Sequence, residues 1–356
     1  MRRPIRVLLL LLLLLGTSLL AETSIIGVLA KRGEAKVHER WNATARYLES
    51  RLPGHTFLIL PLSFNELSGA VEREEVDFVL TNSAYYVELE AAYGATRIAT
   101  LVNLLADGRR DTRFGGVIFT RSDHPSVHAL ADLEGKRLMA VDPLSFGGWH
   151  MAWRELEKAK VHPGEVLFGG THDRVVEAVL AGEADGGTVR SDTLERMAKE
   201  GKINLSRIRV LPAVPCPGFP LLCSTTLYPE WPFATLKHTS PTLAKEVAIA
   251  LFQMTADQPA ARNAQIAGWT IPLDYQPVHA CLRELGLGPY SVRHHISLQQ
   301  VIARYRGWIA AGATLLLLAL ATALYVLRLN RKLVHHQRDR RRSPNGKSTS
   351  PGSNDR

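Results

Sequence analysis

Residues 137–158 read as a strand, a tight turn holding two adjacent glycines, and a helix. Arg137-Leu-Met-Ala-Val141 has strand character, Asp142-Pro-Leu-Ser-Phe-Gly-Gly-Trp149 follows, and His150 to Lys158 has helix character. Ser145 is placed as the N-cap, and Gly147 and Gly148 remove side chains from the first helical turn. Bare N–H groups at a helix start, with the positive end of the helix dipole behind them, hold anions. A second turn of this kind comes earlier, where Asp77-Phe-Val-Leu80 runs through Thr81-Asn82-Ser83 into the helix-like Ala84 to Ala92. Either turn alone reads more readily as an ordinary capped helix. The pair, on separate βα units, points to one ligand gripped from two sides.

The layout around these turns predicts an α/β fold. Strand-like runs at 25–29, 56–62 and 77–80 alternate with amphipathic helices at 36–51, 64–73 and 83–93. Short βα connections of this kind predict a parallel, doubly wound sheet. Strands at 97–105 and 116–121 follow, and the pattern then restarts with strands at 136–141, 165–168, 185–189 and 207–211 and helices at 147–159, 173–182 and 191–201. A second lobe is thus inserted into the first. Pro212 to Pro220 holds four prolines and reads as a stiff crossover. Helix 240–257 and segment 263–290 then have nowhere to pack except on the first lobe. The expected architecture is two hinged, doubly wound lobes with a cleft between them.

The net charge of +9 is concentrated at the chain ends. Residues 1–21 carry three Arg and no acid, residues 328–356 carry nine Lys or Arg against two Asp, and the body between them is left at −1. A neutral body gives no support to nucleic-acid binding. Arg2, Arg3 and Arg6, the apolar run Val7 to Leu15 and a cleavage point at Ala21 fit a signal peptide. Leu19 departs from the small residue usual before such a site, so an uncleaved anchor stays open. Trp308 to Leu327 is twenty residues without a charge, long enough to cross a bilayer, and basic residues follow it in the positive-inside pattern. The expected division is signal peptide 1–21, lobe 1 from 22–120 and 210–292, lobe 2 from 121–209, juxtamembrane linker 293–307, transmembrane helix 308–327 and basic disordered cytoplasmic tail 328–356. That places the body outside the cytoplasm on a single-pass inner-membrane protein.

Val76-Asp-Phe-Val-Leu-Thr-Asn-Ser-Ala-Tyr-Tyr86, Asp142 to Trp149, Ala184-Asp-Gly-Gly-Thr-Val-Arg-Ser-Asp192 and Ser224-Thr-Thr-Leu-Tyr-Pro-Glu-Trp-Pro232 carry a resemblance. From Ile25 to Tyr290 the chain resembles the type 2 periplasmic binding proteins, in the phosphonate- and phosphite-binding branch. It is similar above all to the sensor domains of tetrathionate-type sensor histidine kinases. The resemblance implies a two-lobed fold and reversible binding of a small sulfur or phosphorus oxyanion, with no catalysis and no cofactor. It implies ligand contacts from Asn82, Ser83, Ala84, Ser145, Gly147, Gly148, Thr188 and Arg190; Tyr85 and Trp149, in the first turns of the two helices, are candidates from their position beside the presumed anion. About thirty residues follow the apolar run, so the implied partner is a separately encoded sensor kinase, or alternatively a membrane permease.

Other readings stay open for single residues. Arg190 follows a Gly-Gly-Thr strand end, where its guanidinium can fork onto an oxyanion or pair with Asp192 or Glu195. Tyr85 and Tyr86 divide between cleft and core. Trp149 and Trp153 lie one turn apart, and only Trp149 is near the turn. His150 and His172 read as satisfied polar residues more readily than as ligands. Arg113 and Arg121 either steer anions or are solvated charges. The sequence has no CxxC, HExxH, GxSxG or P-loop. Of three cysteines, Cys216 and Cys281 both belong to the returning segment and are the disulfide candidates, with inert thiols the alternative; Cys223 reads as a buried small hydrophobe. A thiol reactive toward sulfur–sulfur bonds is the functional rival.

Overall fold

A computed structural model of the chain describes residues 22–105, 108–291 and 298–342. The expected signal peptide and residues 343–356 of the expected tail lie outside these. Residues 22–291 form one compact unit, described first.

The chain opens with β1 (Glu22–Leu29), α1 (Glu34–Arg51), β2 (His55–Leu62), α2 (Phe64–Glu72), β3 (Phe78–Leu80), α3 (Ser83–Tyr93) and β4 (Thr96–Leu104). The short β5 (Arg110–Asp111) and β6 (Arg113–Phe114) lead into the second lobe. That lobe holds β7 (Gly116–Arg121), β8 (Arg137–Ala140), α4 (Met151–Ala159), β9 (Glu165–Phe168), α5 (His172–Ala181), β10 (Gly186–Arg190), α6 (Thr193–Lys199) and β11 (Ile208–Val210). The return consists of β12 (Tyr228–Pro229), β13 (Pro232–Thr235), α7 (Pro241–Phe252), α8 (Pro259–Ala264), β14 (Ile266–Thr270) and α9 (Gln276–Leu285).

Two sheets define the lobes. The first has the order β14-β4-β13-β3-β1-β2, with β5 paired to β4. The second has the order β11-β7-β10-β8-β9. In the first, β1 pairs parallel with β2 and β3, and β13 enters antiparallel between β3 and β4. This stitches the return segment into lobe one, and an aromatic chain locks it there. Trp41 lies 6.1 Å from Trp269, Trp269 5.5 Å from Phe233, and Phe233 5.7 Å from Phe78. Such ring pairs are worth about 0.5–1.5 kcal/mol each beyond their burial.

Three expectations need correction here. β7 pairs with β10 and β11, so it belongs to the second lobe and the boundary falls before residue 116, not at 120. The helix expected from 147 begins with a π turn, Phe146–His150, before α4. In it the His150 N–H donates to the Ser145 carbonyl at 3.0 Å, five residues back. The expected disulfide is Cys216–Cys223, not Cys216–Cys281. The intervening Pro217-Gly218-Phe219-Pro220 reverses the chain, with Gly218 at φ 72, and brings the two Cα atoms to 6.3 Å. Cys281 faces inward from α9 and is fully buried as a free thiol, which burial pushes up to about 11. It is therefore no ready nucleophile.

The two connections between the lobes run side by side. β6 and β12 form a two-stranded antiparallel ribbon. Above it, the Gly116 N–H donates to Thr225 Oγ1 at 2.8 Å and the Ile118 N–H to Ser224 Oγ at 2.9 Å. A paired ribbon of this kind serves as a hinge between rigid bodies.

The second unit is α10 (Leu298–Arg342). Residues 305–332 of it are long and apolar enough to cross a membrane, by length and composition. The helix also covers residues expected as linker and tail, 298–307 and 328–342. The basic stretch 328–342 contains neither Gly nor Pro, and its Arg, Lys and Leu favour helix.

Candidate functional site

The carboxyl ends of β1, β3, β8 and β10 meet the other lobe across a cleft, the place where open α/β sheets hold ligands. A cavity of about 150 Å³ lies there. Lobe one contributes Lys31 after β1, Ser63 and Asn65 at the start of α2, Asn82 at the start of α3, and Trp231. Lobe two contributes the Asp142–Gly147 turn, His172 and Arg190. A smaller chamber of about 50 Å³ continues it, sharing Leu29, Lys31, Arg190 and Trp231 and extending to Lys36, Arg40 and Trp41.

Asn82 is built for two tasks. Its side-chain oxygen accepts the N–H groups of Ala84 at 3.0 Å and Tyr85 at 2.9 Å, capping α3. That orientation leaves the amide NH2 facing the cavity, with no acceptor among the described residues. Ser145 Oγ likewise accepts the Gly148 N–H at 3.2 Å, which frees its own O–H as a donor. His172 is 4% exposed and accepts the Arg190 N–H at Nδ1, at 3.3 Å. Its Nε2–H is then a further donor without an acceptor among the described residues. Burial, reinforced by the Lys31 and Arg190 charges, lowers His172 to about 3, so the ring is neutral. The cavity thus meets neutral donors from both lobes.

The charges differ. Arg190 is enclosed: its Nη2 lies 2.5 Å from Glu230 Oε1, its Nε 3.1 Å from Asp192 Oδ1, and its guanidinium 4.5 Å above the Phe114 ring. Glu230 is fully buried and also accepts from Asn103 and from the Trp231 N–H. Lys31 has no such partner. Its Nζ sits 5.2 Å over the Trp231 ring, with no carboxylate in ion-pair range among the described residues. Burial and then the Arg190 charge hold Lys31 well below the usual lysine range.

Four of the ten expected site residues line the cavity: Asn82, Ser145, Gly147 and Arg190. The other six stand behind it. Ser83 Oγ donates to the Pro229 carbonyl at 2.7 Å, tying α3 to the hinge. Ala84 and Tyr85 present their N–H groups to Asn82, and the Tyr85 hydroxyl donates to the Phe64 carbonyl at 2.6 Å. Thr188 Oγ1 donates to the Gly148 carbonyl at 2.6 Å, pinning the π turn. Trp149 stacks on Trp153 at 5.5 Å in the lobe-two core. Gly148 is a packing glycine, since a Cβ there would lie 2.4 Å from Val141 Cγ2. At Gly147 a Cβ would lie 2.7 Å from Arg190 Cβ. His150 is buried within the turn, bonded to the Pro143 carbonyl at 2.5 Å and lowered by burial to about 4. Arg113 and Arg121 pair with Asp111 and Asp123 and do not line the cavity.

Sequence reasoning missed Lys31, Ser63, Asn65 and Trp231. The signal for Lys31 was present: it follows the carboxyl end of the first strand, beside the two turns already suspected. The closed cleft is also bridged by ions. Arg32 of lobe one forks onto Asp173 of lobe two at 2.8 Å through both Nε and Nη2, and its Nη2 reaches Glu200 at 3.0 Å. Burial alone would raise Asp173, but Arg32 and Lys202 more than offset this and hold it below the usual carboxylate range.

This geometry, a hinged pair of lobes closing on an enclosed polar cavity, has clear relatives. Residues 26–276 match the phosphonate-binding family, described as the ABC transporter, phosphonate, periplasmic substrate-binding proteins, and the chain belongs to that family. Its two-lobed architecture is that of the type 2 periplasmic binding proteins. Among curated proteins, the tetrathionate sensor histidine kinase TtrS of Salmonella typhimurium is 32% identical over 314 residues, 85% of this chain and 50% of the relative. The chain therefore spans about half the length of the curated relative it matches. Among solved structures, PhnD1 of Prochlorococcus marinus in complex with methylphosphonate aligns with a TM-score of 0.61 at 15% identity, over 75% of this chain and 99% of that one. A binding-protein component of an ABC phosphonate transporter from Pseudomonas aeruginosa gives 0.61 at 14% identity, over 83% and 97%. These two likenesses concern the fold.

Proposed function

We propose that the chain is a membrane-anchored extracytoplasmic sensor that binds a small sulfur or phosphorus oxyanion between its lobes and passes lobe closure to a histidine kinase. The observation that carries this is the cavity itself. It sets the Asn82 amide, the Ser145 hydroxyl, the His172 Nε2–H and the Lys31 ammonium around one space, which the Asp142 carboxylate, held by the Leu144 N–H, also borders. Neutral donors from both lobes, together with a cation that has no carboxylate in ion-pair range among the described residues, suit an anion better than an apolar solute. The similarity to a tetrathionate sensor supports the sulfur oxyanions, and the bound methylphosphonate of a structural relative supports the phosphorus ones. The candidate spanning helix supports the anchor.

A second reading has its own support: the family's description is that of an ABC transporter component, so delivery to a permease is the alternative output. Co-purification of the full chain with a histidine kinase or with a permease separates the two.

The binding reading is tested by Asn82→Asp in the full chain, purified in detergent. Aspartate keeps the capping oxygen for Ala84 and Tyr85 but replaces the two N–H donors by a negative charge. Calorimetry is expected to show at least a hundredfold loss of affinity for tetrathionate, thiosulfate or methylphosphonate, whichever binds the parent, with Tm unchanged or raised. Unchanged affinity removes the α3 start from the site.

A further inference from the structure

The two connections between the lobes are built differently. The first passes through Gly115, between β6 and β7. The second runs from β11 to β12, and its residues 211–227 hold neither helix nor strand. Side chains and backbone fix it to the first. The Ser224 N–H donates to the Gly116 carbonyl at 2.8 Å, while Ser224 Oγ and Thr225 Oγ1 accept from the N–H groups of Ile118 and Gly116. The Ala213 and Val214 N–H groups both reach the Ser224 carbonyl, at 3.0 and 3.1 Å. These bonds converge on Ser224 and Thr225, the two residues that follow Cys223.

The Cys216–Cys223 bridge sits at this junction. Both sulfurs lie against the Thr225 carbonyl oxygen, Cys216 Sγ at 3.4 Å and Cys223 Sγ at 3.1 Å. A Cβ on Gly115 would come 3.2 Å from Cys223 Sγ, so the bridge also touches the first connection. Inside the ring it closes, the Phe219 N–H donates to the Cys216 carbonyl at 3.2 Å, and the Leu222 N–H to Glu195 of α6 at 2.7 Å. The two cysteines are only 7 positions apart. So short a ring restricts the unfolded chain less than a long one would. What it constrains is the crossover itself. It is also open to attack: both cysteines are partly exposed, and Pro215, Pro217 and Gly218 around Cys216 are exposed. The free thiol of Cys281 is fully buried.

We propose that Cys216–Cys223 is a thiol–disulfide exchange site for a dithiol reductant, and that its redox state sets how freely the hinge moves. The exchange is independent of which solute the cleft takes. A thiolate of the reductant attacks Cys216 Sγ, the sulfur flanked by exposed residues, and Cys223 leaves as a thiolate. The second thiol of the reductant then displaces Cys216 from the mixed disulfide. One S–S bond has broken in the protein and one has formed in the reductant. Two electrons have passed to the protein, and the two thiol protons of the reductant end on Cys216 and Cys223. With the bridge open, the segment 217–222 no longer braces Ser224 and Thr225, and their bonds to the first connection open more often. The lobes then move on a looser hinge. A disulfide oxidant runs the same steps in reverse and stiffens it.

The test treats the full chain in detergent with millimolar dithiothreitol at neutral pH, alkylates it with iodoacetamide before denaturation, and maps the cysteines by mass. Cys216 and Cys223 are expected to be alkylated while Cys281, which reports unfolding, is not. Amide exchange in 114–119 and 222–229 is then expected to run roughly tenfold faster than in the oxidised protein, with the β1 and β2 peptides unchanged. The double variant Cys216→Ser, Cys223→Ser is expected to exchange like the reduced protein, with or without dithiothreitol. If its melting curve shows that it does not fold, the reduced parent carries the comparison alone. Alkylation of Cys216 and Cys223 only together with Cys281 overturns the exchange site, because the bridge then opens only when the fold does. Alkylation of the pair alone, with hinge exchange unchanged, overturns redox control of the hinge. Neither result bears on anion binding at Asn82.

Discussion

The lobe-one and lobe-two walls of the cleft each present a cation, and the two are held in opposite ways. Arg190, on lobe two, is clasped by Glu230 and Asp192 and laid on Phe114. Lys31, on lobe one, has only the Trp231 ring beneath it. Removing a charge from water costs several kcal/mol unless geometry repays it. Arg190 is repaid within the protein, so it serves the fold. Lys31 is not, and in the proposed function an anionic ligand would supply that repayment. A guanidinium at a strand end is thus no sign of a binding residue until its partners are known.

The sharpest way to break this comparison is to unclasp Arg190. Glu230→Gln leaves a buried guanidinium facing a neutral amide, with Asp192 alone to balance it. The expected loss of stability is about 3 kcal/mol, the lower end for a broken buried pair. Denaturant unfolding of the full chain at pH 7 measures it. A loss below about 0.5 kcal/mol, the size of an ordinary surface substitution, would mean that Arg190 is not structural.

The same pair shows what the sequence could and could not tell. The two-lobed α/β plan, the two helix-start turns and the apolar C-terminal helix were all visible as pattern, because strand runs, N-caps and a charge-free stretch are local signals. β13 was not visible. It is a short strand led by Pro232, and its place between β3 and β4 comes from aromatic packing by residues distant in sequence. One clasp of Arg190, Asp192, was legible two residues away, but the other, Glu230, lies forty residues on, and nothing local linked it to Arg190. The disulfide was misjudged for a related reason. Both Cys216 and Cys281 lie in the return segment, but the Pro-Gly-Phe-Pro turn brings Cys223 to Cys216, while α9 points Cys281 into the core. Gly148 looked like a bare N–H donor, and its closeness to Val141 is a fact of packing alone.

The second prediction sharpens the comparison from the other side. Lys31→Met is expected to change stability by less than about 1 kcal/mol, because no ion pair is lost. It is expected to weaken anion binding at least tenfold, about 1.4 kcal/mol. Lys31 is depressed in the free protein by burial and by Arg190. A bound anion favours the ammonium and raises it, so binding takes up a proton. Affinity in the parent should therefore fall as pH rises through the depressed Lys31 pKa, and the Met variant should lose that slope. Calorimetry in buffers of different ionisation enthalpy reads the proton uptake directly. An uptake unaltered by the substitution would assign the linkage to another group.

The smallest effect concerns a carboxylate in the position of Lys31: half-buried and without an ion-pair partner among the described residues. Glu88 lies on α3, the helix that begins at Asn82. Its side chain packs under the turn Gly288–Tyr290, where a Cβ on Gly288 would come 2.8 Å from Glu88 Cγ. Burial raises Glu88 from the usual 4.5 to about 7. The fold therefore favours the protonated carboxyl, and the sign follows by linkage. The stability this group contributes is fully present below its ordinary pKa, declines as pH rises toward the folded value, and is gone above it. Glu88→Gln mimics the protonated form at every pH. It should match the parent near pH 4 and exceed it at pH 8 by about 1 kcal/mol, or about 2–4 °C in Tm. Chloride-matched melting curves from pH 4 to 8 test this. A constant offset between the two proteins across that range would show that the carboxyl ionises as freely in the fold as in the unfolded chain, and that the far end of α3, unlike the cleft, holds no uncompensated charge.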